Sequence, residues 1–231
     1  MKAGLILART DSNRLPNKAL RNLGGKKLIQ WSIDGILLTE DIVPILVTTD
    51  RKMDDPLIEI AQENNILFYR GSLENIAERV LGCLDHFEIE YFARINGDCP
   101  FMNCALLEEG FASISTSNDY DFVTNLIPRA FPYGMSIEIL RSSFFTDHYQ
   151  HLIPDFQEHI TSWFYEHIDQ FRVSKMQYPF GNDHDIRVVV DTPEDLNSLN
   201  DFIIKNPDLN IPKTPLNILV RQLKHNLKSN T

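Results

Sequence analysis

Three groups of residues in this sequence carry chemical potential. The first is a run of cations, Arg9, Arg14 and Lys18, in Ala8-Arg9-Thr10-Asp11-Ser12-Asn13-Arg14-Leu15-Pro16-Asn17-Lys18. Guanidinium and ammonium groups at this density, backed by loop N–H groups, can grip a polyphosphate. The same composition also suits a solvated loop with scattered surface charge. The second is Asp98 in Arg94-Ile95-Asn96-Gly97-Asp98-Cys99-Pro100. Gly97 lets a nucleotide approach the backbone. A carboxylate beside it suits Mg²⁺, which keeps one or two protein carboxylates and takes phosphate oxygens and water as its other ligands. Gly-Asp also simply makes a turn. The third is Asp191 in Val188-Val189-Val190-Asp191-Thr192-Pro193-Glu194-Asp195-Leu196. Thr192 and Asp195 have capping-box spacing and Pro193 suits a first helical turn, so Asp191 also reads as a helix-start residue.

Other chemistries find less support. The phosphate loop GxxxxGK[ST] is absent. His148 and His151 stand three apart and His159 and His167 eight apart, without HExxH or neighbouring cysteines, so zinc is not expected. His159 reads either as a substrate contact or as a helix-start residue at a subunit interface.

These groups need a frame. Residues 3–8, 43–48, 66–69 and 91–95 are short apolar runs that predict strands. Helices are expected over 27–38, over 55–64 with Asp at the cap and Pro in the first turn, from a Ser72 cap to about 87, and over 105–115. Strands alternating with helices imply a parallel sheet with right-handed crossovers. Such sheets bind ligands at the carboxyl ends of their strands. The loops after Ala8, Thr48 and Ile95 should therefore gather on one rim. Residues 125–181 carry Pro128, Pro132, Pro154, Pro179 and many aromatics. They read as an excursion from the sheet, within a single domain spanning 1–231, that covers a substrate or meets another subunit. An apolar strand over 185–190, a helix from 192 and an amphipathic basic helix over 216–227 complete the expectation.

Bulk composition narrows the partners. The chain has 231 residues, 43% hydrophobic and 23% charged, enough for one ordinary globular domain without staples. Its formal net charge of −10 repels a polyanion, so nucleic acid is not an expected partner. A small acidic substrate needs only a local cationic cluster. Cys83, Cys99 and Cys104 form no CxxC pair and read as reduced thiols. The apolar run at 1–8 is too short for a signal peptide, and no stretch approaches a membrane span. A cytoplasmic enzyme is expected.

The segment LARTDSNRLPNKAL resembles the opening signature of the cytidylyltransferases of sugar-acid and spore-coat polysaccharide biosynthesis, close to QARxGSxRLPGKxL. RINGDCP resembles a second motif of that family, and VDTPEDL its closing motif. The resemblance implies a Rossmann-like α/β fold, mostly parallel with helices on both faces, of the nucleotide-diphospho-sugar transferase type. It implies that Arg9, Arg14 and Lys18 contact the phosphates of CTP, with Leu7, Ala8 and Ser12 beside them. Asp98 and Asp191 would hold one Mg²⁺. Thr48, Asp50, Arg70, Ser72, Arg79, Asn96 and Gly97 would lie on the nucleotide side. Arg129, Tyr133, Gly134 and Glu138, in a segment similar to PxGLDVE, and His159, in Glu158-His159-Ile160-Thr161, would face the acceptor. The implied reaction is transfer of CMP from CTP to a small acidic acceptor, a sugar acid, with release of pyrophosphate, for cell-surface polysaccharide or glycoconjugate synthesis by a homodimer. Asp11 and Asn17 stand where the family carries glycines; both residue types tolerate left-handed backbone. A metal-dependent glycosyltransferase using a nucleotide sugar and a non-catalytic nucleotide-binding homologue are the rival readings. The first usually pairs its carboxylates as DxD in one loop, whereas Asp98 stands alone in its own.

Overall fold

The structure is a computed structural model that describes residues 1–116, 119–152 and 159–227. Pro154 and Glu158 lie outside the described residues. The chain runs from β1 (Lys2–Leu7) through a short hairpin, β2 (Asn22–Leu23) and β3 (Lys26–Lys27), into α1 (Leu28–Leu37). Then come β4 (Val43–Thr49), α2 (Asp55–Glu63), β5 (Leu67–Gly71), α3 (Ile76–His86), β6 (Tyr91–Asn96) and α4 (Cys104–Thr116). The second half holds β7 (Phe122–Thr124), β8 (Glu138–Arg141), α5 (Ser142–His148), α6 (Ser162–Glu166), β9 (Val173–Lys175), α7 (Pro193–Lys205) and α8 (Leu216–Leu227).

The seven-stranded sheet has the order β5-β4-β1-β6-β8-β7-β9. β5, β4, β1 and β6 are mutually parallel, with Leu7 opposite Val47 on one side and Asn96 on the other. β8 runs antiparallel to both β6 and β7. The chain leaves β1 toward β4 on one side and returns to β6 on the other. The crevice beyond the ends of β1 and β6 is therefore the switch point of the sheet, where such folds bind ligands.

Side-chain alternation divides the core. Ala3 and Leu5 of β1 point into a cluster with Val80 and Cys83 of α3 and Phe145 of α5. Ile6 points the other way, into a cluster with Ile33 of α1, Ile60 of α2, Phe111 of α4 and Phe202 of α7. Helices thus cover both faces, as alternating apolar strands and amphipathic helices require. No helix among the described residues is long and apolar enough to cross a membrane.

Three expectations are corrected. The 125–181 stretch does not simply leave the sheet: β8 and β9 both pair within it. Residues 185–190 are not a strand. Tyr133 and Arg187 form one isolated bridge, and Val188, Val189 and Val190 are buried by packing instead. The cap of α3 is Asn75, whose side chain accepts from Glu78 N–H, while Ser72 Oγ accepts from the Asn75 N–H one turn earlier.

Candidate functional site

The basic loop leaves β1 at the switch point and closes on itself where the Asn17 N–H donates to the Thr10 carbonyl at 2.9 Å. Asn17 takes the left-handed conformation, φ 55°, which asparagine tolerates better than most residues. It starts the 3₁₀ turn that carries Lys18. On the other side of the crevice, the Gly97 N–H donates to the Leu7 carbonyl at 3.0 Å, and a Cβ at Gly97 would stand 3.1 Å from that of Ala8. Glycine therefore allows the two strand-end loops to touch.

The third segment is brought in by backbone pairing. The Val190 N–H donates to the Asp98 carbonyl at 3.0 Å. Upstream, the Tyr133 N–H donates to Ile186, and Val188 donates back to Tyr133, each at 2.8 Å. Gly134 sits beside this junction at φ 109°, and a Cβ there would press to 2.9 Å against the backbone of Val188 and Val189. Beyond Asp191 the Thr192–Asp195 capping box starts α7. The helix-start reading and the site reading of this segment therefore both hold, on neighbouring residues.

The result is a tight charge cluster. Lys18 Nζ donates to Asp98 Oδ2 at 2.5 Å and to Asp191 Oδ1 at 3.1 Å. Arg14 reaches the same Asp191 oxygen at 3.0 Å, and Arg187 reaches the other at 2.6 Å. Arg187 also pairs with Asp195 at 2.9 Å and stacks over the Tyr133 ring at 5.0 Å. Burial opposes ionisation of Lys18, but Asp98 and then Asp191 outweigh it and raise its pKa. Burial likewise opposes the Asp191 carboxylate; Lys18, Arg187 and Arg14 outweigh it and lower its pKa. Both groups are held charged.

A cleft of ≈ 430 Å³ opens over this cluster. Its walls carry five cations, Arg9, Arg14, Lys18, Arg79 and Arg94, against two carboxylates, Asp98 and Asp191. In a chain of net charge −10 this is a locally cationic pocket built for an anion. Arg79 is 2% exposed, donates to the Ser72 carbonyl and keeps a buried Nε without a hydrogen-bond partner. Burial, then the charge of Arg9, pushes its pKa down to about 10, a cost that a bound anion would relieve.

The cleft also takes in Leu7, Ala8, Ser12, Asn96, Gly97, Tyr133 and His159. Other expected residues lie elsewhere. Thr48 is fully buried in β4, Asp50 is exposed, and neither lines the cleft. Arg70 pairs with Asp55 at 2.7 Å and donates to the carbonyls of Thr49 and Arg51. Ser72 serves Asn75 and Arg79. Arg129 is exposed and outside the cleft. Glu138 is 2% exposed, pairs with Arg94 at 2.7 Å and accepts from the Tyr165 hydroxyl at 3.0 Å. It lines, with Gly134, a small enclosed cavity that shares Arg94 and Asn96 with the cleft.

Sequence reasoning passed over Arg94 and Arg187 as site residues. Arg94 stands within the RINGDCP segment, and Arg187 precedes Asp191 by four residues, so both were within view. Asn13, Ala19, Ile76 and Val189 also line the cleft, and only the fold brings them there.

A Mg²⁺ ion was expected on the two carboxylates. Asp98 and Asp191 bracket one cationic position, now held by the Lys18 ammonium, and both offer hard oxygen donors. That donor set fits the ion. Among the described residues no group of three or more His, Cys, Asp or Glu is arranged to hold a metal.

Comparison with known proteins agrees with this geometry. A family model described as cytidylyltransferase matches residues 3–225. The spore coat polysaccharide biosynthesis protein SpsF of Bacillus subtilis is 26% identical over 84% of this chain and 83% of its own length. An uncharacterized protein of Methanocaldococcus jannaschii is 25% identical over 89% and 91%. The 3-deoxy-manno-octulosonate cytidylyltransferase of Bdellovibrio bacteriovorus is 28% identical over 46% of this chain and 42% of its own length. Among solved structures, a cytidylyltransferase from Leptospira borgpetersenii superposes with a TM-score of 0.86 at 25% identity, covering 99% of this chain and 94% of that one.

Proposed function

The chain belongs to the cytidylyltransferase family and is a CTP-dependent nucleotidyltransferase; from that premise we propose that the cleft transfers CMP to a small acidic acceptor of the sugar-acid class, with release of pyrophosphate. One observation carries the reading. Two carboxylates from distant parts of the chain meet on Lys18 at the sheet's switch point, inside a pocket whose walls also carry Arg9, Arg14, Arg79 and Arg94.

Arg9, Arg14 and Lys18 bind the triphosphate and neutralise the charge that grows on the departing pyrophosphate. Asn96 and Gly97, beside the end of β1, accept the nucleoside. The acceptor enters past Tyr133 and His159, both exposed on the cleft wall. An acceptor oxygen attacks the α-phosphorus in line, and the bond to the β-phosphate oxygen breaks. Holding the two partners in one geometry supplies much of the rate. Asp98 and Asp191 would hold Mg²⁺, which when bound neutralises phosphate charge and lowers the pKa of an acceptor hydroxyl. Arg187 pulls the second oxygen of Asp191 and fixes that carboxylate's orientation. Synthesis of cell-surface polysaccharide or glycoconjugate precursors is the corresponding process; the resemblance to SpsF of Bacillus subtilis supports it.

Pyrophosphate release from the four nucleoside triphosphates, with Mg²⁺ and a panel of octulosonic and nonulosonic acids, tests this reading. Release with CTP and a sugar acid is expected. Release only with a sugar phosphate that has no carboxylate, or equally from all four nucleotides, would refute the substrate assignment.

A further inference from the structure

Asp11 places a carboxylate within the loop read above as the triphosphate seat, two residues from Arg9 and three from Arg14. It nonetheless does not line the cleft, although Arg9, Ser12 and Asn13 do. Its backbone is not left-handed, so it does not stand in conformationally for a glycine. The side chain is instead engaged behind the loop. Arg51 Nη1, from the turn after β4, donates to Asp11 Oδ2 at 2.5 Å. Arg9 Nε lies 3.4 Å from Asp11 Oδ1. The Arg51 hydrogen bond is the main cause that lowers the Asp11 pKa, so the carboxylate is ionised and paired.

The same guanidinium faces a second carboxylate. Arg51 Nε and Nη2 reach Asp54 Oδ2 at 3.2 and 3.0 Å. Asp54 is fully buried, and its other oxygen accepts from the Thr10 N–H at 2.8 Å and the Thr10 hydroxyl at 2.7 Å. The Thr49 hydroxyl donates to Oδ2, the oxygen that faces Arg51. The start of the loop is thus anchored on Asp54 directly, with or without Arg51. What Arg51 adds is a charge set against Asp11.

We propose that Arg51 is a positioning residue for nucleotide binding: bridging Asp11 and Asp54, it holds the Asp11 carboxylate behind the loop, away from the triphosphate face. The proposal rests on the reading of the loop as the phosphate seat. It assigns no contact between Arg51 and substrate. It also explains how a chain with an acid in this loop retains an anion-binding surface: a cation from a neighbouring strand-end loop turns the acid away from it.

The test is CTP binding by calorimetry with Mg²⁺ present, which requires no acceptor, alongside thermal unfolding. Arg51→Gln, which keeps hydrogen bonding but loses charge, should weaken CTP binding on the order of tenfold. Asp11→Gly in the same chain should restore binding to within about threefold of native, because the uncompensated charge is gone. Arg51→Lys, which keeps a point charge without the fork, should bind nearly as native does. Failure of Asp11→Gly to rescue Arg51→Gln would show that Arg51 acts through structure alone and overturn the proposal. If Arg51→Gln does not fold, an Arg51→Lys protein that folds but loses CTP overturns it equally, and one that binds supports it. Native protein that takes up no CTP would overturn the phosphate seat itself, an outcome visible before any variant is made.

Discussion

Among the acidic pairs that share a cation in this molecule, two differ in what that cation is. In the cleft, Asp98 and Asp191 share the ammonium of Lys18. Behind the loop, Asp11 and Asp54 share the guanidinium of Arg51. An ammonium is a compact point charge, and another cation can take its place. A guanidinium fork makes several directed bonds and fixes its partners. The first pair lines an open pocket, and the second does not. On the function proposed above, paired carboxylates serve as a site where their cation is exchangeable and their face is open. Otherwise they become scaffold.

Substitutions can break or sharpen that contrast. The largest effect is expected at Asp98→Asn. Pyrophosphate release should fall on the order of a hundredfold or more, about 3 kcal/mol of barrier, while urea unfolding stays close to native. Undiminished turnover would remove the cleft pair from the chemistry. Asp54→Asn should behave in the opposite way. It leaves buried partners in Thr10, Thr49 and Arg51 poorly matched, and should cost about 2–3 kcal/mol of stability in urea titration. A native unfolding midpoint would show that the rear pair is not scaffold.

Acid should strain the rear pair and the Asp191–Asp195 segment. Asp11, Asp54, Asp191 and Asp195 are all held below their ordinary value of 3.8. For Asp11 the Arg51 hydrogen bond leads; for the other three, opposing burial is outweighed by hydrogen bonds and nearby cations. Above that pH both folded and unfolded chains carry the charges, and the stabilisation is complete. As pH falls below it the unfolded chain takes up protons first, so stability drops until the folded groups protonate too. Urea midpoints at pH 6 and pH 3 check this, and the loss should be smaller in Asp54→Asn. The smallest effect is expected at Arg129→Ala. Its side chain is exposed and outside the cleft, so stability should shift by less than about 0.5 kcal/mol and CTP binding should stay native.

Much of the site was legible because its parts sit at strand ends. The cationic loop follows β1 and Gly97-Asp98 follows β6, so a parallel sheet gathers them without further information. Asp191 was legible by motif and by the capping box after it, but its meeting with Asp98 depends on the long-range Val190–Asp98 pairing. The resemblance put Thr48 on the nucleotide side, whereas it is buried in β4, and local composition misled at Ser72, where Asn75 three residues on takes the cap. Antiparallel β8 and the β7–β9 pairing were hidden because they join very short strands that lie far from their partners in sequence. Arg51 was invisible in sequence because its partner Asp11 is forty residues earlier.

The most direct measurement is binding of Mn²⁺, standing in for Mg²⁺, followed by the electron paramagnetic resonance of the free ion in the presence of CTP. Native protein should take up the ion beyond what CTP alone binds, and Asp98→Asn and Asp191→Asn should each lose that uptake. A doubly substituted protein that binds Mn²⁺ as native does would contradict the claim that these two carboxylates form one cation site.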